Sequence, residues 1–284
     1  MNSNRLYSNR TLTDTVNMVF DLVGENWKKW IKMMVYFLLP FSVLMGAALA
    51  SFDIVDFTIK GVSYSIGTVL VTALVLSIVG CAVVTAMQIL LVQWRDTHDG
   101  TLDGCEVATM WRMLPRPMLK CLGVIVIGFP LVLFFFFIPI FGWVLQFAVL
   151  PVFMVCPIML LEPTDSFMGH ISRAFSLGYS KWGRLILLAL IMGLVSILIN
   201  NAAAFPRAIY TIAESVFEFS TTDNVIWSFI MDVCDYVLSV AQCFMFFVEM
   251  GLFVLAMTYH YGSVVAETED FGLESDIDNF AQLK

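Results

Sequence analysis

The sequence has little charge. Only 13% of its 284 residues are Asp, Glu, Lys or Arg, about half the ~25% of a typical soluble domain. Hydrophobic residues make up 60% of the chain, and the mean hydropathy is +0.86. This composition excludes a water-soluble enzyme of one or two domains, and the apolar content excludes a disordered chain. The sequence therefore predicts an all-α protein that crosses a membrane several times.

Motifs that carry chemistry are also absent. The sequence contains no GxSxG, no HExxH and no glycine-rich phosphate loop, and its six cysteines form no CxxC. We therefore expect no disulfide framework, no metal site, no cofactor and no enzymatic activity. No basic patch with interleaved aromatic residues follows any soluble segment, which excludes nucleic acid as a partner.

Three histidines are the remaining candidates for metal ligation. They are His98, which has Asp96, Asp99 and Asp103 beside it, and His170 and His260. Histidine and carboxylate ligands together suit zinc or manganese. The spacing around His98 matches no ligand motif, however, and solvated loop residues are the interpretation that we favour.

Long charge-free runs predict six membrane spans, since a span needs ~20 mostly apolar residues. The spans are expected at about 33–52, 66–93, 118–137, 142–161, 184–204 and 233–259. The third and fourth come from one charge-free run, 121–161, which is too long for a single span and has Pro139 and Gly142 in its middle. We expect one six-helix membrane domain over residues 1–261 and an acidic cytoplasmic tail over 262–284.

The positions of lysine and arginine predict the orientation. With the N-terminus in the cytoplasm, thirteen of the fifteen basic residues lie inside, and only Lys60 and Arg207 lie outside. This asymmetry predicts a multi-pass protein of the bacterial inner membrane with both termini in the cytoplasm.

Amphipathic helices are expected before the first, third and fifth spans, at about 11–30, 101–114 and 165–180. Apolar residues recur there at helical spacing, and Thr11 suits the N-cap of the first. The first and last align at an offset of 155 residues, which pairs Trp27 with Trp182 and Lys29 with Arg184. We predict three units, each an interfacial helix followed by a transmembrane hairpin. A cytosolic helix packed on protein is an equal alternative for the first.

The last predicted span carries a polar stripe. Its members recur every three or four residues, with Phe246 filling one gap: Asp232, Asp235, Ser239, Gln242 and Glu249. Glu249 lies well inside the span, where a charge costs roughly 3 kcal/mol or more. One interpretation is a substrate or proton path along this face. The alternative is interhelical hydrogen bonding, with Glu249 neutral and bonded to a partner such as Thr85 or Ser196.

A short motif around the fifth span resembles a known family. The motif residues are Glu162, Arg173, Phe175, Leu177, Trp182 and Arg184. Their order is similar to the membrane region of some bacterial glycerophosphodiester phosphodiesterases and to stand-alone YciC-like integral membrane proteins, which usually have Arg-Ser-Trp-x-Leu after a Glu. Ala174 and Phe175 stand here in place of that Ser and Trp. The resemblance implies no phosphodiesterase activity, because that chemistry belongs to a separate soluble domain, which does not follow Tyr259.

These features predict an integral membrane protein without a catalytic domain that organises the membrane or serves as a partner subunit. Its expected partners are membrane lipids and other membrane proteins. The alternative is a small transporter or lipid-handling protein with a polar cavity against the last helix. An intramembrane enzyme ranks below both, because no nucleophile–base pair is visible in the sequence.

Overall fold

Nine α-helices and one 3-10 helix account for nearly all of the chain that the structure describes. The structure is a computed structural model that describes residues 6–53, 58–59, 62–63, 66–98, 100–136, 149–162, 166–217 and 225–269. The helices are α1 (Leu12–Glu25), α2 (Trp27–Asp53), α3 (Ile66–Thr97), α4 (Val107–Met113), α5 (Pro115–Phe136), α6 (Val155–Leu161), α7 (Phe167–Ser180), α8 (Trp182–Phe217) and α9 (Val225–Thr268). The predicted helical class is thus confirmed.

A short 3-10 helix and two short strands complete the regular secondary structure of the described residues. A 3-10 helix, Leu150–Met154, leads directly into α6. Two two-residue strands, β1 (Thr58–Ile59) and β2 (Val62–Ser63), pair antiparallel between α2 and α3. All six cysteines are free.

Among the residues that the structure describes, four helices are long and apolar enough to cross a membrane by length and composition. These segments are Trp27–Ala48, Val69–Thr97, Trp182–Ile212 and Phe229–Thr268. They coincide with the predicted first, second, fifth and sixth spans. The predicted third span begins within α5, and residues 137–148, where the third and fourth would meet, lie outside the described residues. From residue 149 the predicted fourth span is a shorter apolar helix, Leu150–Leu161.

The first amphipathic helix is shorter than the sequence pattern indicates. It was expected over 11–30, but α1 ends at Glu25 and Asn26 breaks the helix with φ −120° and ψ 23°. Trp27 and Trp30 belong instead to α2. The break is invisible to periodicity, because apolar residues recur at helical spacing on both sides of it.

The second amphipathic helix is shorter still. It was expected over 101–114, but α4 covers only Val107–Met113. The residues before it form turns, and Gly104 has φ +74°, a conformation that a helix cannot contain. The third amphipathic helix, expected over 165–180, is α7.

The last two helices extend beyond their predicted spans. α9 runs for 44 residues, about 66 Å at ~1.5 Å per residue and twice the thickness of a ~30 Å membrane core. α8 continues through Pro206 to Phe217. Charge-free runs measure apolar length only, whereas a helix continues past charged residues once it leaves the membrane core.

α9 is the central element of the fold. It packs along α2, α3 and α8, and it also contacts α1. At one crossing a Cβ added to Gly80 of α3 would lie 2.3 Å from Cζ of Phe247 on α9, so only glycine permits this approach. The core at this level includes Leu38, Met87 and Leu91, all fully buried.

The helix pairs α1–α2 and α7–α8 have matching boundaries. Both begin at an N-cap with extended backbone, Thr11 and Ser166, whose hydroxyls accept hydrogen bonds from the backbone N–H three residues on. Both break at one residue, Asn26 and Lys181. Each feature of the second pair lies 155 residues after its counterpart, the offset at which the two sequences align.

Candidate functional site

The candidate site is a cluster of charged and hydroxyl side chains around the C-terminal third of α9, built on two buried arginines, Arg10 and Arg95. The segment before α1 lies directly on this part of the helix. The Arg10 backbone N–H donates to Ser263 Oγ over 3.1 Å, and the Ser263 hydroxyl donates to the Arg10 carbonyl over 3.2 Å. A Cβ on Gly262 would lie 2.4 Å from the Leu6 carbonyl oxygen, so glycine is required for this contact.

Arg95, near the end of α3, holds the centre of the cluster. Its side chain is 1% exposed. It donates from Nε to the Gly100 carbonyl over 3.0 Å, from Nη1 to the Tyr259 hydroxyl over 3.3 Å, and from Nη2 to Glu25 Oε2 over 2.9 Å. These three partners satisfy a cation that would otherwise be costly to bury. Arg95 thereby joins α1, α3, α9 and the loop after α3.

Arg10 lies on the other side of the same tyrosine. Its guanidinium carbon is 5.7 Å from the centre of the Tyr259 ring, a cation–π distance. Nη1 donates to the Leu6 carbonyl over 2.8 Å. Burial lowers the pKa of Arg10, and the neighbouring Tyr259 works in the opposite direction. Nearby, the Leu6 N–H donates to Asp96 Oδ1 over 2.8 Å, so the segment before α1 is fixed at both ends.

The charged residues of the family-like motif join this cluster. Arg173 Nε lies 2.6 Å from Glu162 Oε2, and Arg173 Nη2 lies 2.8 Å from Glu269 Oε1. Glu162 also accepts a hydrogen bond from the Tyr261 hydroxyl. Burial opposes the charge on Arg173, but the hydrogen bond and ion pair with Glu162 outweigh it and raise its pKa. The motif thus ties α6 and α7 to the end of α9.

A second set of ion pairs lies at the start of α8. Lys181 and Arg184 both contact Glu267, the latter over 3.0 Å. Arg184 Nη1 also donates to the Arg10 carbonyl over 3.4 Å. The start of α8 is therefore joined to both the segment before α1 and the end of α9.

The apolar motif residues have packing roles. Leu177 is buried in the core. Phe175 contacts the Tyr179 ring with centroids 5.7 Å apart, and Tyr179 meets Trp182 edge-to-face at 6.5 Å. These rings form a ladder on the surface where α7 meets α8.

The polar stripe of α9 does not form one continuous surface. Asp232 is exposed and Gln242 is half-buried. Asp235 pairs with Arg207 of α8 over 3.2 Å, a partner that the sequence analysis did not assign to it. Ser239 is fully buried, and its Oγ has no hydrogen-bond partner among the described residues.

Glu249 lies on α9 between the two ion pairs that join α8 and α9, Arg207–Asp235 and Arg184–Glu267. Its side chain is half-buried. Oε1 is buried and accepts no hydrogen bond from the described residues. The hydrogen bond to Thr85 or Ser196 that we expected is therefore not made by this oxygen.

An apolar cavity of about 250 Å³ lies against α9. Residues of α3, α5, α6 and α9 line it, among them Thr85, Val124, Cys156, Phe253 and Met257. None of the five stripe residues is among them. The expected cavity against the last helix therefore exists, but its lining is apolar rather than polar.

His98 and the acidic residues near it contact separate partners. His98 stacks on Trp94 with ring centroids 4.0 Å apart. Asp103 pairs with Lys29 over 2.6 Å, and the hydrogen bond from Lys29 lowers the pKa of Asp103. Asp99 lies outside the described residues. In the part of the chain that the structure describes, no three His, Cys, Asp or Glu side chains are placed to hold a metal.

The other two histidines are buried. His260 has no exposed surface, and neither ring nitrogen has a hydrogen-bond partner among the described residues. Nδ1 of His170 is also buried without a partner.

The sequence analysis did not identify Arg95 or Arg10 as buried residues. A usable signal was present for Arg95, because it directly follows a charge-free run that ends at Trp94, within the same helix.

Comparisons with known proteins were negative throughout: no family model, no curated protein and no solved structure matches the chain.

Proposed function

We propose that this chain is an integral membrane protein without a catalytic domain that organises the membrane or serves as a partner subunit. The polar cluster at the end of α9 carries this proposal. Its charges are paired with one another, as in Arg95–Glu25, Arg173–Glu162 and Arg184–Glu267. Groups neutralised in this way hold segments together and are poor candidates for nucleophiles or proton carriers.

The proposed placement is six spans in the bacterial inner membrane, built from three units. The four long apolar helices and the matching boundaries of α1–α2 and α7–α8 support it. The excess of basic residues on one side supports cytoplasmic termini. Membership of the stand-alone YciC-like proteins is part of the proposal and rests on the six motif residues.

Reporter fusions test the placement. Fusions at Lys60 and after Thr222 should report the outside, and fusions at Gly100 and Lys284 should report the inside. A periplasmic signal from Gly100 would contradict the six-span arrangement.

Purification from native membranes, with analysis of bound proteins and lipids, tests the function. A defined set of proteins or lipids should co-purify with the wild-type chain. The same set should be lost from Arg95→Leu, which removes the cation at the centre of the cluster. Lys28→Leu is the control, since Lys28 is exposed and has no ion pair among the described residues. Glycerophosphodiester cleavage that survives purification and disappears in His98→Ala would contradict the proposal.

A small transporter or lipid-handling protein is the second candidate, and the apolar cavity favours it. About 250 Å³ is enough for part of an acyl chain or a small apolar molecule. Transport of such a molecule into liposomes should then fall when Gly128→Leu fills the cavity, and Gly193→Leu, with open space around it, is the control.

Substitutions of Glu249 discriminate between the two interpretations of the polar stripe on α9. If Glu249 has a structural role, Glu249→Gln should keep stability, and Glu249→Leu should lose about 1–3 kcal/mol. If it carries protons or binds a cation, Glu249→Gln should fold normally and lose transport. Transport that survives in Glu249→Gln would leave the structural role as the explanation.

A further inference from the structure

Three cations form a row on the surface where α4 meets α5. Arg112, Arg116 and Lys120 are all exposed. Leu114 between the two helices has helical φ −66° and ψ −39°, and its N–H bonds to the Met110 carbonyl over 2.9 Å. The helical repeat therefore continues through the junction. A spacing of four residues places the three cations on one face, over roughly 12 Å.

This row differs from the paired arginines among the described residues. Arg95, Arg173 and Arg184 each pair with a carboxylate. No ion pair or hydrogen bond joins the side chains of the row to any residue that the structure describes. Three adjacent positive charges are thus left to attract an external anion.

The same face continues into apolar surface. Leu119, beside Lys120, and Val126 and Ile127, beyond it on α5, are 62%, 51% and 62% exposed. Among them lies Gly123, where an added Cβ would meet nothing within 4 Å. One turn beyond Leu119, the helix therefore has a shallow notch bordered by apolar side chains.

We infer that this face binds one anionic phospholipid. The phosphate lies among Arg112, Arg116 and Lys120, and an acyl chain lies in the notch at Gly123 against Leu119 and Ile127. The order along the helix, cations first and apolar surface next, matches the order of headgroup and chain in a lipid. Arginine binds phosphate with two parallel hydrogen bonds, and basic sites beside membrane helices suit anionic headgroups. The inference rests on the proposed placement of α5 in the membrane.

Native mass spectrometry of the delipidated protein tests the inference. Added phosphatidylglycerol should bind at one site, and phosphatidylcholine should not. The variant R112Q/R116Q should bind phosphatidylglycerol at least ten-fold more weakly. The control is K28Q/K32Q, which removes the same charge from two exposed lysines of α2 that also have no ion pair among the described residues. Equal weakening in both variants would show general attraction of charge and would overturn the inference.

The notch is tested separately. Gly123→Leu should weaken phosphatidylglycerol binding several-fold, whereas Gly193→Leu on α8, which also has open space around it, should not. Unchanged binding in Gly123→Leu would contradict the inferred position of the chain. Loss of self-association, rather than of lipid, in R112Q/R116Q would identify the face as a contact between copies and overturn the inference.

A third measurement distinguishes failure of the site from failure of the membrane placement. A tryptophan introduced by Ile127→Trp should be quenched by zwitterionic lipid with brominated acyl chains in nanodiscs. Quenching together with unchanged binding in R112Q/R116Q contradicts only the lipid site. Absence of quenching contradicts the placement of α5 and the inference with it.

Discussion

The pairs α1–α2 and α7–α8 have the same local structure, but the first helix of each pair is held to the rest of the protein by a different kind of contact. Their buried faces correspond position by position: Val19 and Leu22 are fully buried, and their counterparts Ala174 and Leu177 are 0% and 5% exposed. The contrast lies one position before Val19. There α1 buries Met18, whereas α7 has Arg173, which pairs with Glu162 and Glu269.

The shared caps and breaks determine where these helices begin and end. A single position determines how each helix is anchored. At this position the first helix is held by apolar burial and the second by ion pairs. Exchanging the two kinds of anchor should therefore damage each pair for a different physical reason. Five predictions test the comparison of the two pairs.

The largest effect is expected from giving the first helix the anchor of the second. Met18→Arg places a cation at a buried position and should cost about 3 kcal/mol or more. Unfolding by SDS in mixed micelles measures the loss. Asn17→Arg adds the same charge at an exposed neighbouring position and should change stability little; equal losses in both would contradict burial as the cause.

A smaller effect is expected where the second pair is packed more tightly. A Cβ on Gly178 would lie 2.7 Å from Cβ of Pro151, whereas its counterpart in α1 is Val23. Gly178→Ala should therefore cost about 2 kcal/mol through overpacking. Gly24→Ala, with nothing within 4 Å, should stabilise by about 0.5–1 kcal/mol. The same SDS titration should show opposite signs for the two.

The reverse exchange of anchors should be milder. Arg173→Met leaves Glu162 and Glu269 without their cation, but all three side chains are partly exposed. We expect a loss of about 1.5 kcal/mol, discounted for solvent screening. A double-mutant cycle with Glu162→Gln should show coupling. Additive losses would mean that the pair does not anchor α7.

The smallest effect is expected at the cap of the first helix. Thr11 and Asp14 form a reciprocal capping box, which α7 lacks because Gly169 stands in place of Asp14. Thr11→Ala should cost about 1 kcal/mol, measured by the same unfolding titration at pH 7. Ser166→Ala should cost less.

The stability that the capping box contributes also depends on pH, and the direction of that dependence follows from the pKa of Asp14. Hydrogen bonds from Thr11 lower the pKa of Asp14. The contribution of Asp14 is therefore complete above its ordinary pKa of ~3.9 and is lost as the pH falls through the lowered value. Stability measured from pH 8 to 5 should show no change from this group, and a decline confined to that range would contradict the assignment.

The sequence was sufficient to predict the helical class, the helix α7 and the start of α3 at residue 66, because these depend on local patterns. The sequence was not sufficient to predict that α1 ends at Asn26, since apolar residues recur at helical spacing on both sides of this residue. The polar cluster could not be predicted from the sequence, for a different reason. Arg95 and Tyr259 are 164 residues apart, and no local pattern reports a contact that only packing creates.

The contact between Arg10 and Ser263 also constrains when the protein can finish folding. The two residues are 253 positions apart. A ribosome adds roughly 5–20 residues per second, so Arg10 is made roughly 13–50 s before its partner. Throughout that interval the segment before α1 lacks its docking surface, and its buried arginine remains in water. A segment that is synthesised early is thus among the last to reach its final position.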